Sequence, residues 1–208
     1  MEQTDKKALI LTHAEKLFAE QDFDAVSVRD IAKAASVNIA MISYYFGSKE
    51  KLFEELITRK LAVSQMTLRN IASDENSSTL DKLMALVEFY VDRLMNNPHV
   101  HRMINRELTS NSRPELREQL INKISTNREA ISKIMEQGIE RGEIRPEADT
   151  ELAVMSFFAT IQYLVGSSYY CCRMFDKKSE AELFTPEFKQ RTMDFFKESF
   201  KNNLLIKQ

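Results

Sequence analysis

Apolar residues recur through most of this chain at the three-and-four spacing of helices, and no stretch alternates as a strand does. Between Ser27 and Lys51, SVRDIAKAASVNIAMISYYFGSKEK, the spacing tightens: Ile31, Ala35, Val37, Ile42 and Tyr45 are apolar, and the small Ala32 follows Ile31. That pattern predicts two short helices that cross closely. Ala32 leaves room for the second, while Val37 and Ile42 fill the angle between them.

Each boundary in this stretch has a local cause. Ser27 can cap the first helix, with Asp30 three residues on completing a capping box. Ser36 interrupts the run, Asn38 can cap the second helix, and Gly47 can end it in a left-handed turn before Ser48 caps a third. The second helix, about Asn38 to Phe46, is then some two turns long. Val37, Ile42 and Phe46 point inward, leaving Asn38, Ile39, Ala40, Ser43 and Tyr44 outside. This is the pattern of a helix-turn-helix, whose second helix enters the DNA major groove.

The third helix runs on from Ser48 to about Ile71, before the polar linker SDENSST (Ser73 to Thr79). Further helices are expected over Leu80 to Met95, from Pro98 to about Asn111, and from Pro114 to the Gly138–Gly142 region. Asp149 or Thr150 opens an apolar helix through Tyr170, and a last helix covers Glu187 to Ile206. The expected architecture is all-α: a three-helix DNA-binding domain over residues 1–50, joined to a larger helical domain over 51–208.

The helix Leu152 to Tyr170 is apolar almost all round, with Ala153, Ala159, Gly166 and Ser167 permitting close approach. A helix apolar on every side needs cover on every side, most simply from its copy in a two-fold dimer. On the last helix Phe188, Thr192, Phe196 and Phe200 share one face, and with Phe158 and Gly166 they are the expected dimer interface. Phe89, Tyr90, Met103, Met135, Phe157, Phe158 and Ile161 offer an adaptable apolar lining for a pocket, with Gln162, Asn105, Arg102 and His101 as polar anchors.

The order VSVRDIAKAASV, a short helix ending in YYF, and GSKEKLFEEL resembles the N-terminal domain of the tetracycline-repressor (TetR) family. Ile10, Ala14, Leu17, Phe18 and Phe23–Val26 extend the resemblance, which spans roughly Lys7 to Leu56. Ser36 departs from it, standing where the family usually carries glycine; if positive φ is needed, serine costs on the order of 1 kcal/mol. The resemblance implies that Arg29 reaches a guanine edge or a phosphate, and that Asn38, Ile39, Ala40 and Ser43 face bases. It implies that Ser27, Tyr44, Tyr45 and Lys49 hold the phosphate backbone. It further implies a homodimer, an effector cavity in the larger domain, and a repressor released from a palindromic operator by an apolar or amphipathic small molecule. Activation rather than repression stays open.

Charge changes the picture only locally. The chain of 208 residues is 43% hydrophobic with a net charge of −2. Its first 50 residues carry Lys6, Lys7, Lys16, Arg29, Lys33 and Lys49 against eight acidic residues. A basic footprint must come from Arg29, Lys33, Lys49 and Lys51 on one surface, and binding should rest on fit more than on bulk charge. No apolar run is long enough for a signal peptide or a membrane span, so a cytoplasmic protein is expected.

Catalytic and cofactor signals are weak. There is no glycine-rich phosphate loop and no nucleophile beside a base. The residues three before His13, His99 and His101 are Ile10, Asn96 and Pro98, so the Glu-x-x-His motif of di-iron bundles is absent. His99 and His101 diverge on a helix, and adjacent Cys171 and Cys172 are poorly spaced to ligate one ion. A redox sensor built on those thiols and a helical-bundle enzyme are the weaker alternatives; no cofactor and no metal are expected.

Overall fold

The computed structural model describes residues 3–206 and bears out the all-α expectation. In chain order the helices are α1 (Gln3–Glu20), α2 (Val28–Ala34), α3 (Ile39–Phe46), α4 (Lys49–Ser73), α5 (Thr79–Asn96), α6 (Pro98–Thr109), α7 (Pro114–Glu140), α8 (Thr150–Gly166), α9 (Ser168–Met174), α10 (Glu180–Leu183) and α11 (Pro186–Asn203). Among the described residues the remaining regular structure is a 3-10 turn, Phe23–Ala25, and one β-bridge, Ile144 to Leu205.

The chain forms two compact units, and the boundary differs from the expected one near residue 50. One unit comprises the chain up to Val63 together with Arg102–Lys123; the other is Ser64–His101 and the chain from Ile124 onward. Residues 102–123 join the first unit because two arginines there hold the turn before α2. Arg106 donates to Asp22 at 2.5 Å and to the Phe18 carbonyl, and Arg113 donates to Asp24 at 2.8 Å.

In the first unit α1 buries Ile10, Leu11, Ala14 and Phe18 with Leu52, Phe53 and Leu56 of α4. The Phe18, Phe23 and Phe53 rings meet with centroids 4.9–5.5 Å apart. Every cap expected around α2 and α3 forms. Ser27 Oγ accepts from the Asp30 N–H at 3.1 Å while Asp30 accepts from the Ser27 N–H at 3.0 Å. Asn38 Oδ1 accepts from the Ala40 N–H at 2.9 Å, and Ser48 Oγ accepts from the Lys51 N–H at 3.2 Å.

Ser36 adopts φ 53°, the left-handed conformation that glycine takes without strain, and Gly47 adopts φ 80°. Ser36→Gly should therefore stabilise the protein by about 1 kcal/mol, less the extra entropy of an unfolded glycine. A stability in urea titration lower by the full glycine entropy, about 0.5–1 kcal/mol, would show that the turn is not strained.

The second unit is built around α5, which buries Leu83, Leu86, Val87, Tyr90, Val91 and Leu94. Its core continues through Ile131, Ile134 and Met135 of α7, Phe157, Ile161, Leu164 and Val165 of α8, and Phe196 and Phe200 of α11. Lys82, buried among them, donates to the Ala72 carbonyl in the last turn of α4 and to Gln137. The helix expected to run unbroken to Tyr170 bends by 95° between α8 and α9. Ser167, at φ −119° and ψ 33°, leaves the helical region there, directly after the weak helix former Gly166. No single helix among the described residues is long and apolar enough to cross a membrane.

The expected dimer face needs correcting. Phe196 is 3% exposed, and Phe200 and Thr192 are likewise buried, because α11 turns this stripe onto α5 and α8 of its own unit. Phe158 meets Tyr90 with centroids 5.0 Å apart, and Phe188 packs on Phe175 at 5.4 Å. Of the residues named, Gly166 alone is exposed. The outward apolar stripe is instead Leu152, Met155, Ala159 and Tyr163 on α8, with Phe195 on α11, which is 62% exposed.

Candidate nucleic-acid interface

The two-helix motif presents its surface from a rigid base. Ile31, Ala32 and Ala35 of α2 and its turn, with Ile42 and Phe46 of α3, are buried, so the inner faces are fixed by packing. Ser27, Arg29, Asn38, Ile39, Ala40, Ser43 and Tyr44 are exposed, and Tyr44 is 72% so. Tyr45 is half-buried, its ring 5.1 Å from that of Tyr44. Arg29 and Lys33 stand on the outer side of α2, and Lys51 is exposed at the start of α4. The Ser27 hydrogen bonds hold the Asp30 carboxyl below the usual carboxylate range, so this acid is spent on the cap beside the basic side chains.

Lys49 does not join this surface in the expected way. Its Nζ donates to the carbonyls of Phe23 and Val26 at 2.9 and 3.0 Å and stands 4.2 Å from the Phe23 ring centroid. The ammonium satisfies carbonyls of the turn before α2, so the lysine ties the motif together instead of reaching out for phosphate.

Sequence reasoning missed the second brace on that turn. Arg113 grips Glu107 through both carboxylate oxygens at 2.7 and 2.9 Å, bonds Asp24, and lies 4.2 Å from the Phe23 centroid. The only trace in the sequence is an acidic DFD at residues 22–24 facing no nearby base.

The remaining candidate residues separate. Phe89, Tyr90, Met135, Phe157, Phe158 and Ile161 all lie in the second unit, whereas Met103 is buried in the first. Gln162 is exposed on α8 and is no pocket anchor, because α8 turns Phe157 and Ile161 inward. Leu83, Val87, Met135, Phe157 and Phe158 help line a cavity of about 20 Å³, room for one water. Cys171 and Cys172 are free and buried, and burial, then Cys172, pushes the Cys171 thiol up, opposite to a reactive thiolate. Among the described residues no group of three or more His, Cys, Asp or Glu converges as a metal site.

A capped two-turn helix with a polar and aromatic outer face, braced across a left-handed turn, is a helix-turn-helix DNA-binding module. Residues 10–56 match the bacterial regulatory proteins of the tetR family, and residues 80–195 match the tetracyclin repressor-like C-terminal domain. The chain belongs to the TetR family of transcriptional regulators. It is 33% identical over 138 residues to a probable HTH-type transcriptional regulator, YttP of Bacillus subtilis, a match covering 66% of each protein. Its fold superimposes on the fatty acid degradation regulator FadR from Bacillus halodurans with a TM-score of 0.74 at 23% identity, covering 95% of this chain and 97% of that one. FadR from Bacillus subtilis in complex with stearoyl-CoA gives 0.72 at 23% identity, covering 91% and 96%.

Proposed function

We propose that the protein is a homodimer that represses transcription from a two-fold symmetric operator and releases it when a small amphipathic molecule enters the second unit. The observation that carries this reading is the outer face of α3. Asn38 is the helix cap, the inner side chains fill the core, and yet Ile39, Ala40, Ser43 and Tyr44 face outward beside Arg29 with no task in the fold. Amide, hydroxyl and guanidinium groups there suit base edges, and the phenols suit phosphate oxygens.

One two-turn helix reads too few base pairs for specificity, and a dimer doubles the site. The apolar stripe of α8 and Phe195 is a poor surface for water. Beside it an open groove of about 290 Å³ between α8 and α11, with Phe196 and Phe200 among its walls, can receive a partner's side chains. The stearoyl-CoA bound by the Bacillus subtilis relative supports an effector with a long apolar part. Helices α4, α6 and α7 contribute residues to both units, so a ligand preferring one arrangement of the second unit can shift the population of DNA-competent dimers. Such a regulator works in the cytoplasm, where the chromosome is.

Arg29→Ala and Tyr44→Ala are each expected to weaken operator binding by about 1–3 kcal/mol without changing helicity, melting temperature or dimerisation. Operator DNA selected from random duplexes, with salt-titrated fluorescence anisotropy, provides the measurement. Wild-type affinity in both variants would remove α2 and α3 from the interface.

A further inference from the structure

Three helices of the second unit bring four polar side chains together against a wall of hydrocarbon. Tyr90 of α5 hydrogen-bonds Asn127 of α7, and Arg93, one turn along α5, is electrostatically coupled to Tyr90 and to His101 of α6. Asn127 is 7% exposed. His101 Nε2 and Asn127 Oδ1 are both shut off from solvent, and neither makes a hydrogen bond. Folded proteins rarely leave buried polar atoms unpaired, and two in one small cluster point to a partner that arrives from outside.

The surroundings give that partner its shape. The Tyr90 ring stands 5.3 Å from Phe89, 5.8 Å from Phe157 and 5.0 Å from Phe158. Phe157 and Phe158 line the 20 Å³ cavity, as do Val87, one turn before Tyr90 on α5, and Ile131, one turn after Asn127 on α7. The apolar chamber and the polar cluster are thus neighbours along α5, and the ten helical steps from Leu83 to Arg93 span roughly 15 Å. The Arg93 guanidinium, 5.5 Å from the Phe89 centroid, brings positive charge to the polar end. Burial, and then Arg93, pull the His101 pKa down to about 4, so its ring is neutral near pH 7 and can donate from Nε2.

We propose that this cluster receives the anionic head of an amphipathic effector, a carboxylate or similar oxyanion, while the apolar body opens the cavity beside Phe157 and Phe158. The inference rests on the ligand-responsive reading above and narrows it to one chemical class. One head oxygen accepts from Arg93 and another from His101 Nε2–H. A half-turn of the Asn127 amide lets Nδ2 donate to the head while Oδ1 accepts from the Tyr90 hydroxyl, so no buried polar atom is left over.

The test compares matched probes on the full-length dimer by calorimetric titration and thermal shift: decanoate against decanol, dodecanoate against dodecanol, and 4-butylbenzoate against 4-butylbenzyl alcohol. The acid of at least one pair should bind about tenfold or more tightly than its alcohol. Arg93→Gln and Asn127→Leu should each bring that acid to the level of its alcohol, with the alcohol's own affinity kept. Without ligand, Asn127→Leu removes an orphaned acceptor but also the Tyr90 hydroxyl's partner, so its melting temperature serves only as a folding control and the acid–alcohol comparison decides. Acid should also shift the His101 ring-nitrogen resonances, and alcohol should not. Equal binding within all three pairs, or a preference that survives both substitutions, would overturn the head-group site. A neutral compound that releases operator, found in a broad screen, would overturn it while leaving a ligand-responsive repressor standing.

Discussion

Arg113→Ala is expected to destabilise the protein by about 3 kcal/mol, because it strands a carboxylate in the core. The Glu107 side chain is 4% exposed, and Arg113 grips both of its oxygens. Buried pairs broken on one side cost about 3–5 kcal/mol, and the lower figure suits an arginine whose side chain keeps 17% of its exposure. The melting temperature should fall by roughly 6–12 °C for a chain of this size. Operator affinity should fall with it, since the same guanidinium holds Asp24 and covers Phe23 in the turn that leads into α2. Replacing Glu107 with Leu in the Arg113→Ala background should recover most of the stability. A double-mutant cycle with a coupling below about 0.5 kcal/mol would show that the brace is ornamental.

Leu152→Asp combined with Phe195→Asp should give a folded monomer whose operator affinity drops by about 100-fold or more, because the gain from binding two half-sites together is lost. Both side chains are exposed in the single chain, so helicity by circular dichroism should survive. Phe196→Asp should behave differently. It buries a carboxylate among Phe157 and Phe200 and should unfold the second unit. Sedimentation velocity that shows an intact dimer for the first variant would place the interface elsewhere.

The contrast between Phe195 and Phe196 marks where sequence stops being legible. Helical spacing shows that Phe188, Thr192, Phe196 and Phe200 share a face, but an apolar face covered by its own domain has the same spacing as one covered by a partner. The caps of α2 and α3 could be read because each joins residues two or three apart. The positive φ at Ser36 was legible for a related reason: the family resemblance marks a glycine position, and backbone sterics say why. Lys49 could not be read, since its task depends on where the carbonyls of Phe23 and Val26 come to rest. The Arg113–Asp24 bond joins residues 89 apart, a distance at which no local pattern survives. The bend after Gly166 was masked by an apolar run that continues across it.

The one-water cavity beside Phe157 sets a clock. A molecule larger than water fits there only if the surrounding side chains move apart, so its association is limited by that movement when the movement is slower than encounter. Its apparent dissociation constant is the intrinsic one divided by the open fraction; with roughly one molecule in a hundred open, binding is about 100-fold weaker than the contacts alone would give. The same closure slows escape. If the effector enters there as proposed above, its binding is expected to be slow at both ends, with an observed rate that levels off as ligand concentration rises, which stopped-flow fluorescence would show.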